Sequence, residues 1–225
     1  MKNYTSATCY SYGRRASYVF AFLSFWAPIN TCIGADCNAT LKDDYKRLMD
    51  HDNQLQTTDS TQQKKLNTLK DETKPLQSAW GICSNGRWRT IFESTINKAE
   101  ENRIKLEDAW EKLVSYDHDL EVTKSKLDQL NIRIDHKFKK KCAFQYEQAF
   151  RAYMSEYDND YIYLKENIYE HKLESYITGI EAYQSFIKSS AKACQENDFT
   201  PFTLDTLKGG ANKILESVEN LSLKL

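Results

Sequence analysis

The sequence predicts an all-α fold: an elongated antiparallel three-helix bundle, or coiled coil, with a short C-terminal helical segment. Glycine and proline, which break helices, number only 7 and 3 among 225 residues. Neither occurs between Arg87 and Thr178. In two separate stretches, apolar residues recur at multiples of seven, which places an apolar stripe along a helix. Such stripes must be covered, so we expect the long helices to fold back on one another.

Residues 1–35 have the order of parts of a secretory signal peptide. Arg14 and Arg15 precede an apolar core at 18–27, and small residues follow it up to Ala35. This order predicts cleavage after Ala35 and a secreted or periplasmic location. The alternative is an uncleaved N-terminal anchor, which would be a short membrane span and the only contact of the chain with a membrane.

The first bundle helix is predicted from about Ala39 to Lys74. Turn-forming residues around Asp59 suggest a break there, but the leucines keep the same phase on both sides, which favours one continuous helix. Pro75 is expected to kink or end this helix, with the first turn around Cys83. The leucines of the stripe are Leu41, Leu48, Leu55, Leu69 and Leu76.

The central helix is predicted from Arg87 to about Lys140. The stripe changes phase after Phe138 and again near Asn159, so the second turn lies at Lys140 or at Asn159. A turn at Lys140 gives three helices of similar length and is the favoured alternative. The residues of the central stripe at seven-residue steps are Ala99, Leu106, Leu113, Leu120, Leu127 and Ile134.

Four cysteines remain after removal of the signal peptide, and an even number in an oxidising compartment predicts two disulfides. Their spacings match no zinc-binding pattern. With a turn at Lys140, Cys37 lies at the same end of the bundle as Cys142, and Cys83 at the same end as Cys194. We therefore predict the pairs Cys37 with Cys142 and Cys83 with Cys194.

The bundle is assigned to residues 36–195, and a C-terminal tail at 196–225 is expected to dock on it. Thr200, followed by a proline, predicts the start of a short helix. The glycine pair at 209–210 is expected to end that helix. A last amphipathic helix then follows to the C-terminus.

The sequence contains none of the common catalytic or cofactor motifs. It has no His-Glu-x-x-His, no Glu-x-x-His, no glycine-rich phosphate loop and no Gly-x-Ser-x-Gly. We therefore predict no enzymatic activity, no catalytic residue, no cofactor and no metal site. The formal net charge of −1 does not indicate a nucleic-acid partner.

Two features are candidates for contact with a partner. Lysines cluster at the end of the central helix, where they also complement the helix dipole. Tyrosines crowd the region from Tyr146 to Tyr183, and those between 161 and 163 cannot all face the core. The residues predicted to contact a partner are Tyr161, Tyr163, Lys139, Lys140 and Lys141.

These patterns predict an exported, non-enzymatic structural or interaction protein that presents helix faces to another protein. The alternative is a membrane-active α-helical toxin or secreted effector, which requires an apolar segment that can enter lipid. The sequence leaves the identity of the partner and the oligomeric state open.

Overall fold

A computed structural model describes residues 39–81, 86–141 and 144–222, and within them it contains helices and no strand. Two π-helical segments, Asp158–Ile162 and Lys165–Glu170, join the helix Phe144–Tyr157 to the helix His171–Glu196 without a turn. Residues 144–196 therefore form one continuous helix, called the third helix below. The all-α class is as predicted. The helices are α1 (Ala39–Gly81), α2 (Gly86–Lys141), α3 (Phe144–Tyr157), α4 (His171–Glu196) and α5 (Pro201–Ser222).

Helix α1 is continuous through Asp59 and also through Pro75, so the proline does not end it. Contacts beyond the proline hold α1 on the third helix. Gln77 Nε2 donates to the hydroxyl of Tyr183 at 3.3 Å, and Trp80 Nε1 donates to Ser190 Oγ at 3.0 Å. Packing of this last part of α1 offsets the backbone hydrogen bond that the proline cannot make.

Helix α2 buries the predicted stripe. The side chains at its seven-residue steps from Ala99 to Leu127 are buried, and Ile134 is partly buried and packed against the same core. Their partners are the third helix along the length of α2 and α5 along its first part. The apolar stripe of the sequence is thus the buried face of this helix.

The third helix lies between α1 and α2. Both pack against it, but within the described residues no Cα atom of α1 lies within 8 Å of a Cα atom of α2. Helix α5 packs into the groove between α2 and α4. There Asn102 Nδ2 donates to the carbonyl of Ala211 at 3.0 Å, and Lys172 Nζ donates to the carbonyl of Leu221 at 2.7 Å.

The second turn follows Lys141, where α2 ends, and precedes Phe144, where α3 begins. This agrees with the favoured turn at Lys140. The later phase change near Asn159 is the first π-helical segment, where the wider helical turn rotates the apolar stripe without reversing the chain. Tyr157 lies before this segment and Ile162 at its end, and both are buried.

The prediction that the glycine pair ends a short helix is wrong, because α5 runs without interruption through Gly209 and Gly210. A Cβ atom on Gly210 would lie 3.4 Å from a ring carbon of Phe186, an ordinary van der Waals distance, so α5 packs on α4 at this glycine. Tertiary packing here overrides the low helix propensity of glycine. The predicted start is confirmed, because the N–H of Thr203 donates to Thr200 Oγ1 at 3.3 Å.

The expected signal peptide lies outside the described residues. None of the described helices combines the length and the apolar character that crossing a membrane requires.

Three of the four cysteines, Cys37, Cys83 and Cys142, also lie outside the described residues, whereas Cys194 is buried near the end of α4. The two disulfides therefore stay predictions. Trp80, three residues before Cys83, bonds to α4 as described above. After Cys83, at the start of α2, the Arg87 guanidinium lies 5.3 Å from the ring centre of Phe199, the fifth residue after Cys194. Both helix ends that flank Cys83 thus contact the region around Cys194.

A cleft and a charged layer as candidate functional sites

A layer of charged side chains lies inside the bundle at the π-helical segments. The buried Lys165 of the third helix has its Nζ 3.2 Å from an oxygen of Asp59 on α1, and it also donates to Asp117 on α2. Burial by itself lowers the pKa of Lys165, but hydrogen bonds and charge attraction from Asp117 and Asp59 raise it above its ordinary value. The charged lysine therefore links all three long helices.

A second set of polar side chains lies closer to the turn between α2 and α3. The buried carboxylate of Asp52 accepts hydrogen bonds from Lys124 Nζ at 2.7 Å and from the hydroxyl of Tyr157 at 3.0 Å. Burial and the charge of Asp52 raise the pKa of Tyr157. Residues from α1, α2 and α3 thus meet in one hydrogen-bonded set, which specifies the register of the helices.

Glu170 lies in the charged layer without a hydrogen bond. Its side chain is 6% exposed, and neither carboxylate oxygen has a hydrogen-bond partner among the described residues. Burial, followed by repulsion from Asp59, raises its pKa to about 7. Glu170 therefore changes charge close to neutral pH.

The charged layer is part of the core. In this layer Asp59 and Asp117 pair with Lys165, and Glu121 accepts a hydrogen bond from Tyr161. Within the part of the chain that the structure describes, no group of three or more histidine, cysteine, aspartate or glutamate side chains is arranged to hold a metal ion.

An open cleft separates α1 from α2 along α4. It consists of two adjoining hollows of about 390 and 370 Å³ that share Gln77 and Tyr183. Its floor is formed by Tyr176, Ile180 and Tyr183 of α4. We call this feature the α1–α2 cleft; it exists because the third helix keeps the other two apart.

Aromatic rings line the cleft. Trp110 of α2 stacks on Tyr176 with ring centres 4.5 Å apart and an angle of 16° between the planes. Lys70 of α1 crosses the cleft, and its Nζ lies 4.6 Å from the ring centre of Trp110 and 5.2 Å from that of Tyr176. Burial lowers the pKa of Lys70. Trp80 and Trp88 line the other hollow. Trp80 and Trp110 are partly exposed, whereas Trp88 is buried.

Arg103 is held in one position in the middle of the cleft. Its Nε donates to Glu100 at 2.9 Å and its Nη1 donates to Glu107 at 2.6 Å. Its guanidinium lies 5.8 Å from the ring centre of Tyr183, whose hydroxyl donates to Glu100 at 2.6 Å. These contacts hold Arg103 and Glu100 in place on the α2 wall of the cleft.

The side chains predicted to contact a partner do not form one surface. Tyr161 is 1% exposed, so the prediction that it contacts a partner is corrected: the π-helical segment turns it into the core, where its hydroxyl donates to Glu121 at 3.2 Å. Tyr163 is 57% exposed. Lys140 is exposed at the end of α2. The side chains of Lys139 and Lys141 lie outside the part that the structure describes.

Sequence reasoning missed the α1–α2 cleft. The available signal was the occurrence of tryptophan at 80 and at 110, each beside the apolar stripe of its helix. Such positions lie at the edge of the buried face and not at its centre. Comparison with known proteins finds no family model, no curated protein and no solved structure that matches the chain.

Proposed function

We propose that the protein is an exported, non-enzymatic interaction protein that binds a segment of another protein in the α1–α2 cleft. The observation that carries this proposal is that Trp80, Trp110 and Arg103 line the cleft and are partly exposed. Tryptophan and arginine are among the residue types most enriched where protein interfaces concentrate their binding energy. The described helices contribute a rigid frame around them.

The side chains that line the cleft already make contacts with one another, and this supports the same proposal. Trp110, Lys70 and Arg103 are already held by stacking, cation–π contacts and ion pairs. Little side-chain entropy is then lost when a partner binds, and this pre-organisation raises affinity.

Export is the part of the proposal that rests on the sequence. The basic, apolar and small-residue order of residues 1–35 supports secretion or a periplasmic location. Two disulfides among Cys37, Cys83, Cys142 and Cys194 fit an oxidising compartment. Each would close a loop of more than about 100 residues, and cross-links of that length constrain the unfolded chain strongly.

Site-specific photo-crosslinking in the host cell tests the proposal. A photoreactive phenylalanine analogue replaces Gln77, which borders both hollows, and in a control protein it replaces Lys192 on the exposed face of α4. We expect one defined protein adduct from position 77 and none from position 192. Trp110→Ala should abolish the adduct at 77. Equal adducts at both positions, or none at 77, would contradict the proposal.

A further inference from the structure

We infer that a proton on Glu170 keeps the middle of α1, residues 56–65, packed on the third helix, and that loss of this proton releases the segment. We call residues 56–65 the α1 middle. Its release is a local opening of the seam between α1 and the third helix, in which α2 and α5 stay in place. This opening belongs to α1 itself and needs no partner in the α1–α2 cleft.

Apolar packing holds α1 on either side of the α1 middle but not within it. Leu55 and Leu66 flank the segment and are buried, whereas none of the side chains at 56–65 is buried. Within 8 Å between Cα atoms, α1 meets only the third helix among the described elements, while α2 and α5 also meet each other. The α1 middle can therefore leave the third helix without separating α2 or α5 from it.

Polar contacts join the α1 middle to the charged layer. Asp59 lies 3.2 Å from Lys165 Nζ, and Gln63 Nε2 donates to the hydroxyl of Tyr169 at 2.8 Å. Lys165, Tyr169 and Glu170 belong to the same π-helical segment. The part of the seam next to Glu170 thus depends on polar contacts.

The sequence of the α1 middle favours a helix only weakly. Four of the five residues at 57–61 are serine or threonine, which have lower helix propensity than alanine or leucine. Thr57 Oγ1 and Thr61 Oγ1 donate to backbone carbonyls four residues earlier, at 2.8 and 2.9 Å, and such bonds often bend a helix. We therefore expect this segment to lose helical order once its contact with the third helix is lost.

The charged layer has too few hydrogen-bond donors for its carboxylates. The ammonium of Lys165 has three N–H groups, and three carboxylates face it, those of Asp59, Asp117 and Glu121. Both carboxyl oxygens of Glu170 and Oδ1 of Asp59 are buried without a hydrogen-bond partner among the described residues. A proton on Glu170 removes a buried charge and supplies a donor, so the packed state favours the protonated form.

Ionisation of Glu170 gives the layer a surplus of negative charge. Among the other described helices, α1 and α2 are the ones that pack against the segment Lys165–Glu170. Opening moves Asp59 away and admits water to Glu170, while Lys165 keeps its bond to Asp117, so ionised Glu170 favours the open state. The charged groups around Glu170 are Asp59 of α1, Asp117 and Glu121 of α2, and Lys165 and His171 of its own helix.

Hydrogen exchange of the full-length protein, followed by mass spectrometry at about pH 6 and about pH 8, tests this opening. Each measured rate is divided by the intrinsic exchange rate of the same amide at that pH. The pKa of Glu170 is about 7 in the packed state and returns to its ordinary 4.5 when water reaches the carboxyl. Peptides from the α1 middle should therefore lose about tenfold in protection between the lower and the higher pH.

Two variants and a second region of the chain serve as controls. Glu170→Gln cannot ionise, so protection of its α1 middle should change by less than about twofold between the two pH values. Glu174→Gln removes an exposed carboxylate and should keep the wild-type change. Wild-type peptides around the buried Leu113 of α2 should stay at least about tenfold more protected than the α1 middle at both pH values, because they exchange only when the whole bundle unfolds.

Three results would each rule out the proton-controlled opening. They are equal protection of the wild-type α1 middle at both pH values, an undiminished pH effect in Glu170→Gln, and an α1 middle that is as strongly protected as α2 around Leu113. The first and third come from wild type alone, so they decide the matter even if Glu170→Gln does not fold.

Discussion

Replacing Glu170 with glutamine should remove a large pH dependence of stability. In the folded protein this carboxyl is buried without a hydrogen bond, close to Asp59 of α1 and Asp117 of α2. Lys165 and His171 offset only part of the unfavourable charge. The pKa is therefore raised from 4.5 to about 7.

The direction of the pH effect on stability follows from the pH at which the folded and the unfolded chain each release the proton of Glu170. The unfolded chain loses the proton of Glu170 near pH 4.5, whereas the folded protein keeps it until about pH 7. The stabilising contribution is complete below pH 4.5 and is lost as the pH rises to about 7. The difference of about 2.5 in pKa, at about 1.36 kcal/mol per pKa unit, corresponds to about 3 kcal/mol of unfolding free energy.

Urea unfolding of wild type and Glu170→Gln between about pH 4 and about pH 8 measures this contribution. The unfolding free energy of wild type minus that of the variant should fall by about 3 kcal/mol over this range. Glutamine does not titrate, so any cost of burying its amide shifts the whole curve and leaves its slope unchanged.

Glu174→Gln, which removes an exposed carboxylate four residues further on, is the matched control. Its difference curve should stay flat to within about 0.5 kcal/mol. A curve for Glu170→Gln that is equally flat, or one that rises with pH, would refute the assignment of Glu170 as a buried group that titrates near neutral pH.

Two further predictions concern packing and topology. Gly179→Ala should lower the unfolding free energy by about 1–3 kcal/mol, because its Cβ would lie 2.8 Å from both δ-carbons of Leu106 and 3.0 Å from Cβ of Ser217. Gly209→Ala should raise the unfolding free energy by about 0.5–1 kcal/mol, because its Cβ would meet no atom within 4 Å. Urea unfolding in which the two substitutions shift the unfolding free energy in the same direction would contradict this packing. Non-reducing peptide mapping of the protein taken from its native compartment should find Cys37 joined to Cys142 and Cys83 joined to Cys194. A bridge between Cys37 and Cys83 would contradict the predicted disulfide topology.

Much of the helical architecture could be predicted because apolar periodicity is a local property of the chain. The stripe from Ala99 to Leu127 is buried as expected, and α2 ends at Lys141, close to the predicted turn. The preserved phase of the leucines around Asp59 likewise predicted an uninterrupted first helix, and α1 is continuous there.

The phase change near Asn159 shows where local patterns stop being sufficient. A turn and a π-helical segment both shift the stripe, and turn-forming residues at 158–160 suit either reading. A turn and a π-helical segment differ in whether the residues after the phase change still pack against the same helices. Here Tyr157 bonds to Asp52 and Tyr169 accepts a hydrogen bond from Gln63, so the third helix continues along α1.

The sequence by itself determined the helical class and the buried stripe of α2, because these depend on residue spacing and on the scarcity of breakers. It left the second reversal at Lys140 or at Asn159. Only the tertiary structure decided that α5 passes through two glycines, that Lys165 pairs with carboxylates of two other helices, and that α1 and α2 stand apart around a cleft. Each of these results depends on distances between helices far apart in sequence. Side-chain volume and charge at those crossings set such distances, and periodicity along one helix carries no information about them.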